Sequence, residues 1–351
     1  MKKMVNVAIL SRWHLHADIY YRQAMANPNV NLVCVWDEDP VRGKKWAEEI
    51  NVEFVADLDA LLAREDIDAV AVTNPTSMHK DVMVKSARAG KHILSEKVTT
   101  PTVAEILEVQ EAVEKSGVKF VLASPYKTQP EYLFAKKVVE QKWLGEITGM
   151  RLRSAHDGAV RDYLPEGFYS AEEAAGGAMV DLGAHPMYMV AWLLGEPVSV
   201  TSLFTSVTGR GVEDNAVSLV EFPGEAIAVV ETSFAAFPKV RWMDLSGTKG
   251  SLRINGPMEP LSSLPIEVEI YLKNENGIEG WVKVEDLPEE LPSPFDQWID
   301  SIANDTRIEY DFATALVLTQ INEGAYLSAR EGRKIYIGEV MDKAKSGLYT
   351  G

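Results

Sequence analysis

The sequence predicts a two-domain α/β protein: a doubly wound parallel sheet over residues 1–124, then an α+β domain over 125–351 built on a large, mainly antiparallel sheet. Three observations carry this. Short β-branched runs alternate with longer amphipathic segments through residues 1–125, which implies parallel strands joined by right-handed crossovers. From residue 147, strand-like runs follow one another across short Gly-, Pro- or Asn-containing turns, which implies antiparallel pairing. A chain of 351 residues, 46% hydrophobic and 25% charged, is long for one core and suits two.

In the first domain the expected strands are Val5–Leu10, Val30–Trp36, Ala69–Val72, 92–94 and 119–122, and the helices Pro40–Ile50, 77–89 and 102–116. Glycine stands just past the last periodic residue in Ala89-Gly90-Lys91 and Lys115-Ser116-Gly117, where it stops a helix. In the second domain a helix is expected over 131–142, then strands over 147–154, 198–208, 216–222, 226–234, 241–247, 251–254 and 266–272. There is no internal repeat and no low-complexity segment.

Composition narrows the function. Met1-Lys2-Lys3 leads into an apolar run too short for a signal peptide, and no stretch approaches the roughly 18 uncharged residues of a membrane span, so a cytoplasmic protein is expected. The single cysteine, Cys34, excludes an intrachain disulfide and reads as core filler within its strand. A net charge of −17 argues against nucleic acid or an anionic membrane as partner. It says little about a small substrate, because local charge in a cleft can oppose the net value.

Two stretches carry chemistry. Gly176-Gly177-Ala178-Met179-Val180-Asp181-Leu182-Gly183-Ala184-His185 sets a carboxylate four residues before an imidazole, and on a helix these share a face. A histidine near its reference pKa of about 6.5 exchanges protons at neutral pH, and a neighbouring carboxylate orients it or holds a substrate hydroxyl. The same spacing also suits half a metal site or a chance pair. The second stretch is the turn after the first strand, Leu10-Ser11-Arg12-Trp13-His14-Leu15-His16-Ala17, where a doubly wound nucleotide binder carries Gly-x-Gly-x-x-Gly. It contains no glycine. The second strand nevertheless ends in Asp37, the place for an acid that accepts hydrogen bonds from an adenosine ribose diol. A 2′-phosphate about 4 Å away would be repelled by roughly 4 kcal/mol per unit charge at an effective dielectric near ~20, favouring NAD over NADP. The alternative is a strand-end aspartate that caps the next turn. His14 and His16 alternate like metal ligands, but Asp18 is their only near acidic neighbour and no metal is expected.

Four motifs in order resemble the Gfo/Idh/MocA oxidoreductases, the glucose–fructose oxidoreductase and inositol dehydrogenase family. They are Asp68-Ala69-Val70 leading into Thr73-Asn74-Pro75-Thr76-Ser77-Met78-His79; Ala89-Gly90-Lys91-His92-Ile93-Leu94-Ser95-Glu96-Lys97; Gly176-Gly177 through Asp181 and His185; and Ser246-Gly247-Thr248-Lys249-Gly250-Ser251-Leu252. Ala325-Tyr326-Leu327-Ser328-Ala329-Arg330-Glu331-Gly332-Arg333 looks like the closing helix, so the resemblance spans nearly the whole chain. It implies a Rossmann dinucleotide domain. It also implies that Lys97 polarises the substrate oxygen, that Asp181 orients the substrate hydroxyl and that His185 is the general acid/base. On the cofactor side the expected residues are Ser11, Arg12, Trp13 and His14 of the glycine-free turn, Asp37 at the end of the second strand, and Asn74, Pro75, His79, Glu96 and Lys97 of the motifs. Three departures stand out: Val98 where proline is usual after Glu96-Lys97, Tyr188 where an aspartate often follows the histidine, and Lys127 for a frequent arginine. Substrate contacts are expected between the domains from Tyr126, Lys127, His156, Asp157, Arg161, Tyr163 and Tyr188.

The resulting expectation is an NAD-dependent oxidoreductase acting on a secondary hydroxyl of a sugar, sugar acid or cyclitol, assembled as a homodimer or homotetramer through the C-terminal sheet. A non-catalytic ligand sensor or scaffold is the alternative, favoured by the glycine-free turn. Lyase or epimerase chemistry with transient use of NAD is a third.

Overall fold

The alternation of strand and helix in the first third of the chain is realised as a six-stranded parallel sheet. A computed structural model describes residues 4–257, 266–273, 279–306, 308 and 312–346, so the Met1-Lys2-Lys3 leader and the last five residues of the expected second domain lie outside the described residues. The strands are β1 (Val5–Leu10), β2 (Val30–Trp36), β3 (Glu53–Phe54), β4 (Ala69–Val72), β5 (His92–Ser95) and β6 (Phe120–Leu122), in the order β3-β2-β1-β4-β5-β6. Every residue of β4 is buried, as befits a parallel strand covered on both faces. Two-residue β3 is too short to leave a periodic signal.

Strand order reverses between β1 and β4, the place where open α/β sheets bind ligands beyond their carboxyl ends. Register pairs Leu10 with Val72 and Val72 with Ser95, so segments 11–16, 73–75 and 96–97 leave the sheet side by side. The helix Val103–Ser116 starts with a Thr102/Glu105 capping box and stops at Gly117, whose φ of +68° is costly for any other residue. Cys34 is fully buried, and burial pushes its thiol up to about 12, which suits core filler and not a nucleophile.

The expected single boundary at residue 124 needs correction. One compact unit comprises Met1–Ser124 and Pro292–Thr319, the other Pro125–Leu291 and Gln320–Gly351. The helix Pro294–Asn304 puts Phe295, Trp298 and Ile299 into the first unit's core with Val5, Ile9, Trp46 and Leu94. Its amphipathic pattern announces a helix but not which core it joins.

The second unit carries β7 (Ile147–Ala155), β8 (Ser199–Thr205), β9 (Asn215–Glu221), β10 (Ile227–Ser233), β11 (Val240–Gly247), β12 (Gly250–Pro257), β13 (Glu267–Lys273), β14 (Glu279–Lys283) and β15 (Ile335–Tyr336). Among the described residues they form one sheet in the order β14-β13-β12-β11-β7-β10-β9-β8-β15, antiparallel except between β7 and β10. Helix Ala184–Leu194, apolar on nearly every side, packs against β7 and β10. On the other face Leu203, Val217, Leu219 and Ile227 are exposed, alternating with buried Ala216, Ser218, Val220 and Ala228. Among the described residues no helix is long and apolar enough to cross a membrane.

Trp298→Ala should destabilise the first unit by about 3–5 kcal/mol, because it empties a fully buried aromatic site. Urea unfolding checks this, and a loss under about 1 kcal/mol would remove the helix from that core.

Candidate active site

The glycine-free turn keeps its shape through side chains. Ser11 holds φ at +86°, a conformation glycine ordinarily supplies. Its hydroxyl accepts the Trp13 N–H at 3.0 Å, and its carbonyl accepts the Thr73 hydroxyl at 2.7 Å. The Arg12 amide donates to Asp37 Oδ2 at 2.9 Å, while its guanidinium is tied to Asp18 and Glu49. Trp13 and His14 are buried within this turn.

Asp37 differs from its expected role. Its carboxylate accepts from the Arg12 and Asp39 amides and from Nε and Nη2 of Arg42, the latter at 3.0 and 2.6 Å. A carboxylate has about four acceptor sites, so a ribose diol must displace one of these donors. The Arg42 guanidinium also offsets the charge on which the argument against a 2′-phosphate relied. Sequence reading missed Arg42, although a helix beginning at Pro40 brings a residue five positions on back toward Asp37.

Glu96, at the carboxyl end of β5, is the hub of this edge. Its Oε1 accepts the Tyr20 hydroxyl and faces His16 Nδ1 at 2.9 Å; its Oε2 accepts the Lys97 N–H at 2.9 Å and lies 4.0 Å from His14 Nε2. Burial pushes this carboxyl up, but His16, His14 and Lys97 together outweigh burial and hold it well below the usual carboxylate range. His14, His16 and Glu96 therefore bring three ligand atoms within 4.8 Å of one another, with the acidic partner supplied from far along the chain. The hydrogen bonding differs from that of a metal centre. His14 Nδ1 accepts the His16 N–H at 3.1 Å, which leaves the neutral ring's proton on Nε2, whereas a ligating imidazole presents a bare nitrogen and donates from the other. The group is a carboxylate–imidazole network.

Lys97 is buried beside it, and the Lys97–Val98 peptide is cis. Asn74 Nδ2 donates to the Pro75 carbonyl, while its Oδ1 is buried with no hydrogen-bond partner among the described residues. His79 is corrected from a cofactor contact to a brace. It is 1% exposed, and its ring nitrogens face the carbonyls of Asn74, Val98 and Thr99, tying the segment after Lys97 to the segment after β4.

In the second unit the glycine pair has a steric reason: a Cβ on Gly177 would strike the Glu213 carbonyl oxygen, and one on Gly176 the Tyr326 hydroxyl. Glu213 then accepts the Gly177 and Met179 amides and the Tyr326 hydroxyl. Asp181 does not share a helix with His185 as expected. The helix starts at Ala184, and Asp181 sits in the turn before it, its amide bonded to Gly177 O. His185 stacks on Tyr126 with ring centroids 4.6 Å apart, and its Nδ1 lies 3.0 Å from the Tyr188 hydroxyl.

Tyr188 is likewise corrected. It is fully buried and its hydroxyl meets His185 and the Tyr126 amide, which makes it a support for the imidazole. Arg241, unforeseen, lies 4.7 Å from the Tyr126 ring centroid and pairs with Glu131 at 2.9 Å. The signal was an arginine on the inward side of a period-2 strand, in line with Met243 and Leu245. Lys127 is buried, its ammonium 5.8 Å from the Trp192 ring centroid. Register pairs Ala155 with Val240, so a second group gathers where β7 ends. There His156 stacks on Phe234, Arg161 pairs with Asp157 at 2.7 Å, and Lys239 lies 4.4 Å from the Tyr163 ring centroid.

Comparison with known proteins matches both units. Residues 14–124 match the model of the oxidoreductase family with NAD-binding Rossmann fold, and residues 132–253 match the GFO/IDH/MocA C-terminal domain. The chain is 26% identical over 258 residues to 2,7-anhydro-N-acetylneuraminate hydratase of Escherichia coli (strain K12), covering 72% of this chain and 68% of that one. It is 29% identical over 272 residues to scyllo-inositol 2-dehydrogenase (NAD(+)) of Bacillus subtilis (strain 168), covering 72% and 75%. A levoglucosan dehydrogenase solved with NADH and levoglucosan superposes with a TM-score of 0.81 at 19% identity, over 95% of this chain and 99% of the other, which shows the shared fold.

Glu96→Gln should lower stability at pH 7 by about 1–3 kcal/mol, since a buried acceptor set is disrupted. The native carboxyl lies below its unfolded value of about 4.3, so the ionised group's contribution is full above that pH and is lost as pH falls toward the native value. The gap between the two proteins in urea midpoints should therefore shrink below about pH 4.3; a gap that is absent, or constant with pH, would contradict this role for Glu96.

Proposed function

The chain belongs to the GFO/IDH/MocA oxidoreductases and carries their NAD-binding Rossmann domain, and on that premise we propose that it transfers a hydride between NAD(H) and a secondary hydroxyl, or the matching ketone, of a sugar, sugar acid or cyclitol. The observation that carries the proposal is Lys97, buried directly after the Glu96 hub at the carboxyl edge of the sheet, one strand from where strand order reverses. An ammonium there stabilises the negative charge that develops on the substrate oxygen, more in the transition state than in the ground state.

The residues present fit a dinucleotide. Segments 11–16 and 73–75 flank the switch point, and Asn74 Oδ1 is a buried acceptor awaiting a donor. Ser11, Trp13, His14 and Asn74 are assigned to hold the cofactor, with Asp37 and Arg42 as a coupled pair at the adenosine end. The bound nicotinamide supplies or accepts the hydride. His185 on the second unit is assigned to the substrate oxygen and Asp181 to a neighbouring hydroxyl. The relatives named for acting on sialic-acid, inositol and anhydro-sugar compounds support the substrate class. The exposed Leu203, Val217, Leu219 and Ile227 support assembly through the sheet, which light scattering would test against a monomer.

One observation favours the second reading, a ligand sensor or scaffold: the acceptor sites of Asp37 are already taken by protein donors. The readings separate in one assay. Incubation with NAD and a panel of polyols and sugar acids, or with NADH and their keto forms, is followed by nicotinamide absorbance. The enzyme reading expects turnover, and Lys97→Met should lower kcat by at least about 100-fold with NAD affinity within about twofold. Undiminished turnover in the variant would remove Lys97 from the chemistry, and absence of both turnover and nucleotide binding would leave the sensor.

A further inference from the structure

Tyr188 is where the second unit departs from a carboxylate-supported imidazole, and its hydrogen bonds fix a proton. The phenol oxygen accepts the Tyr126 amide N–H at 3.2 Å, and His185 Nδ1 lies 3.0 Å from the same oxygen. An amide nitrogen only donates. The single phenol proton therefore goes to Nδ1, because Tyr188 is fully enclosed and its other neighbour at hydrogen-bond distance offers no lone pair. From this geometry we infer that Tyr188 is a positioning residue that holds His185 as the neutral Nε2–H tautomer, so that His185 meets the substrate as a hydrogen-bond donor to a carbonyl or alkoxide oxygen and not as a base. The inference rests on the dehydrogenase reading for its substrate, but its proton assignment stands on the fold alone.

The surroundings act in the same direction. Protonating Nδ1 would turn it into a donor toward an oxygen that already accepts an amide, and would strand the phenol proton in a buried site. Passing a proton out through Nε2 would require phenolate at Tyr188, which burial opposes by raising that hydroxyl well above its ordinary range. His185 also lies in the first turn of helix Ala184–Leu194, whose N-terminal dipole disfavours a cation. Its ring also stacks on Tyr126, and beyond that ring stands the Arg241 guanidinium with Glu131. Arg241 likewise opposes an added positive charge, while Glu131 pairs with Arg241. A carboxylate in place of Tyr188 would do the reverse: it would accept from Nδ1–H and free Nε2 as a proton acceptor. The phenol thus adapts this site to grip the oxygen of a ketone as hydride reaches its carbon, and leaves the proton that completes the alcohol to a donor other than His185, with water as the source in solution.

Nitrogen-15 spectra of histidine-labelled protein test this without turnover, so the result is independent of whether a substrate is found. The chain has six histidines, and His185→Asn identifies the signals of His185 by their loss. Wild type should show Nε2 protonated and Nδ1 as a hydrogen-bond acceptor at neutral pH. Tyr188→Phe should abolish the hydrogen-bonded Nδ1 signature and let the Nδ1–H tautomer appear. An Nδ1–H tautomer in wild type, or a tautomer unchanged by Tyr188→Phe, would overturn the inference. The wild-type spectrum decides even if the variant fails to fold.

Discussion

A buried carboxylate with no partner is among the most costly groups a protein can hold, and Glu96 is enclosed at the end of β5. The cofactor edge of the first unit is arranged around meeting that demand. Tyr20 reaches it from the helix after the turn, His16 from the end of the turn, and the Lys97 amide from the next residue. The carboxylate thereby fixes the turn after β1 relative to the segment after β5, and Lys97 is placed as a consequence. In a glycine loop the backbone makes the close approach by itself. Here the chain takes the turn with Ser11 in a left-handed conformation and relies on Asp37 and Glu96 at either end to hold it.

The second unit solves a different problem with aromatic rings. Its helix Ala184–Leu194 is buried on almost every side, so polar groups on it need internal partners. Tyr188 answers to the Tyr126 amide and to His185, and Tyr126 in turn stacks on His185 and lies beside Arg241. Arg241 is tied to Glu131 and Gln129, so a buried cation is paired and the rings are clamped between polar groups. The imidazole has little freedom to tilt, and a rigid imidazole is useful where one hydrogen-bond direction is required.

Much of the fold was legible because it rests on period and punctuation. The parallel sheet, the antiparallel sheet and the capped helix before Gly117 all follow from local pattern. What escaped was long-range. Nothing in 292–319 says that its apolar stripe joins the first core, and β3 is shorter than any period. The helix expected over 131–142 runs Pro130–Glu140, a boundary difference of the usual size. At the candidate site, the motif residues Lys97 and His185 were visible as residues, whereas their partners were not. His14 and His16 lacked an acid near in sequence because Glu96 arrives from eighty residues beyond His16. Tyr188 looked like a hydroxyl-reading side chain, whereas the fold buries it between His185 and the Tyr126 amide, and Asp181 looked helical because it stands four residues before His185, whereas it lies in the hydrogen-bonded turn ahead of the helix start.

The central claim is that a carboxylate-organised turn does for the dinucleotide what glycines do elsewhere. Calorimetric titration of NADH into wild type and into folded Glu96→Gln tests it most directly. The account expects wild type to bind with a dissociation constant below millimolar and the variant to bind at least about tenfold more weakly, a difference of roughly 1.4 kcal/mol. Equal affinity in the two proteins, or no heat of binding for wild type at millimolar NADH, would contradict it.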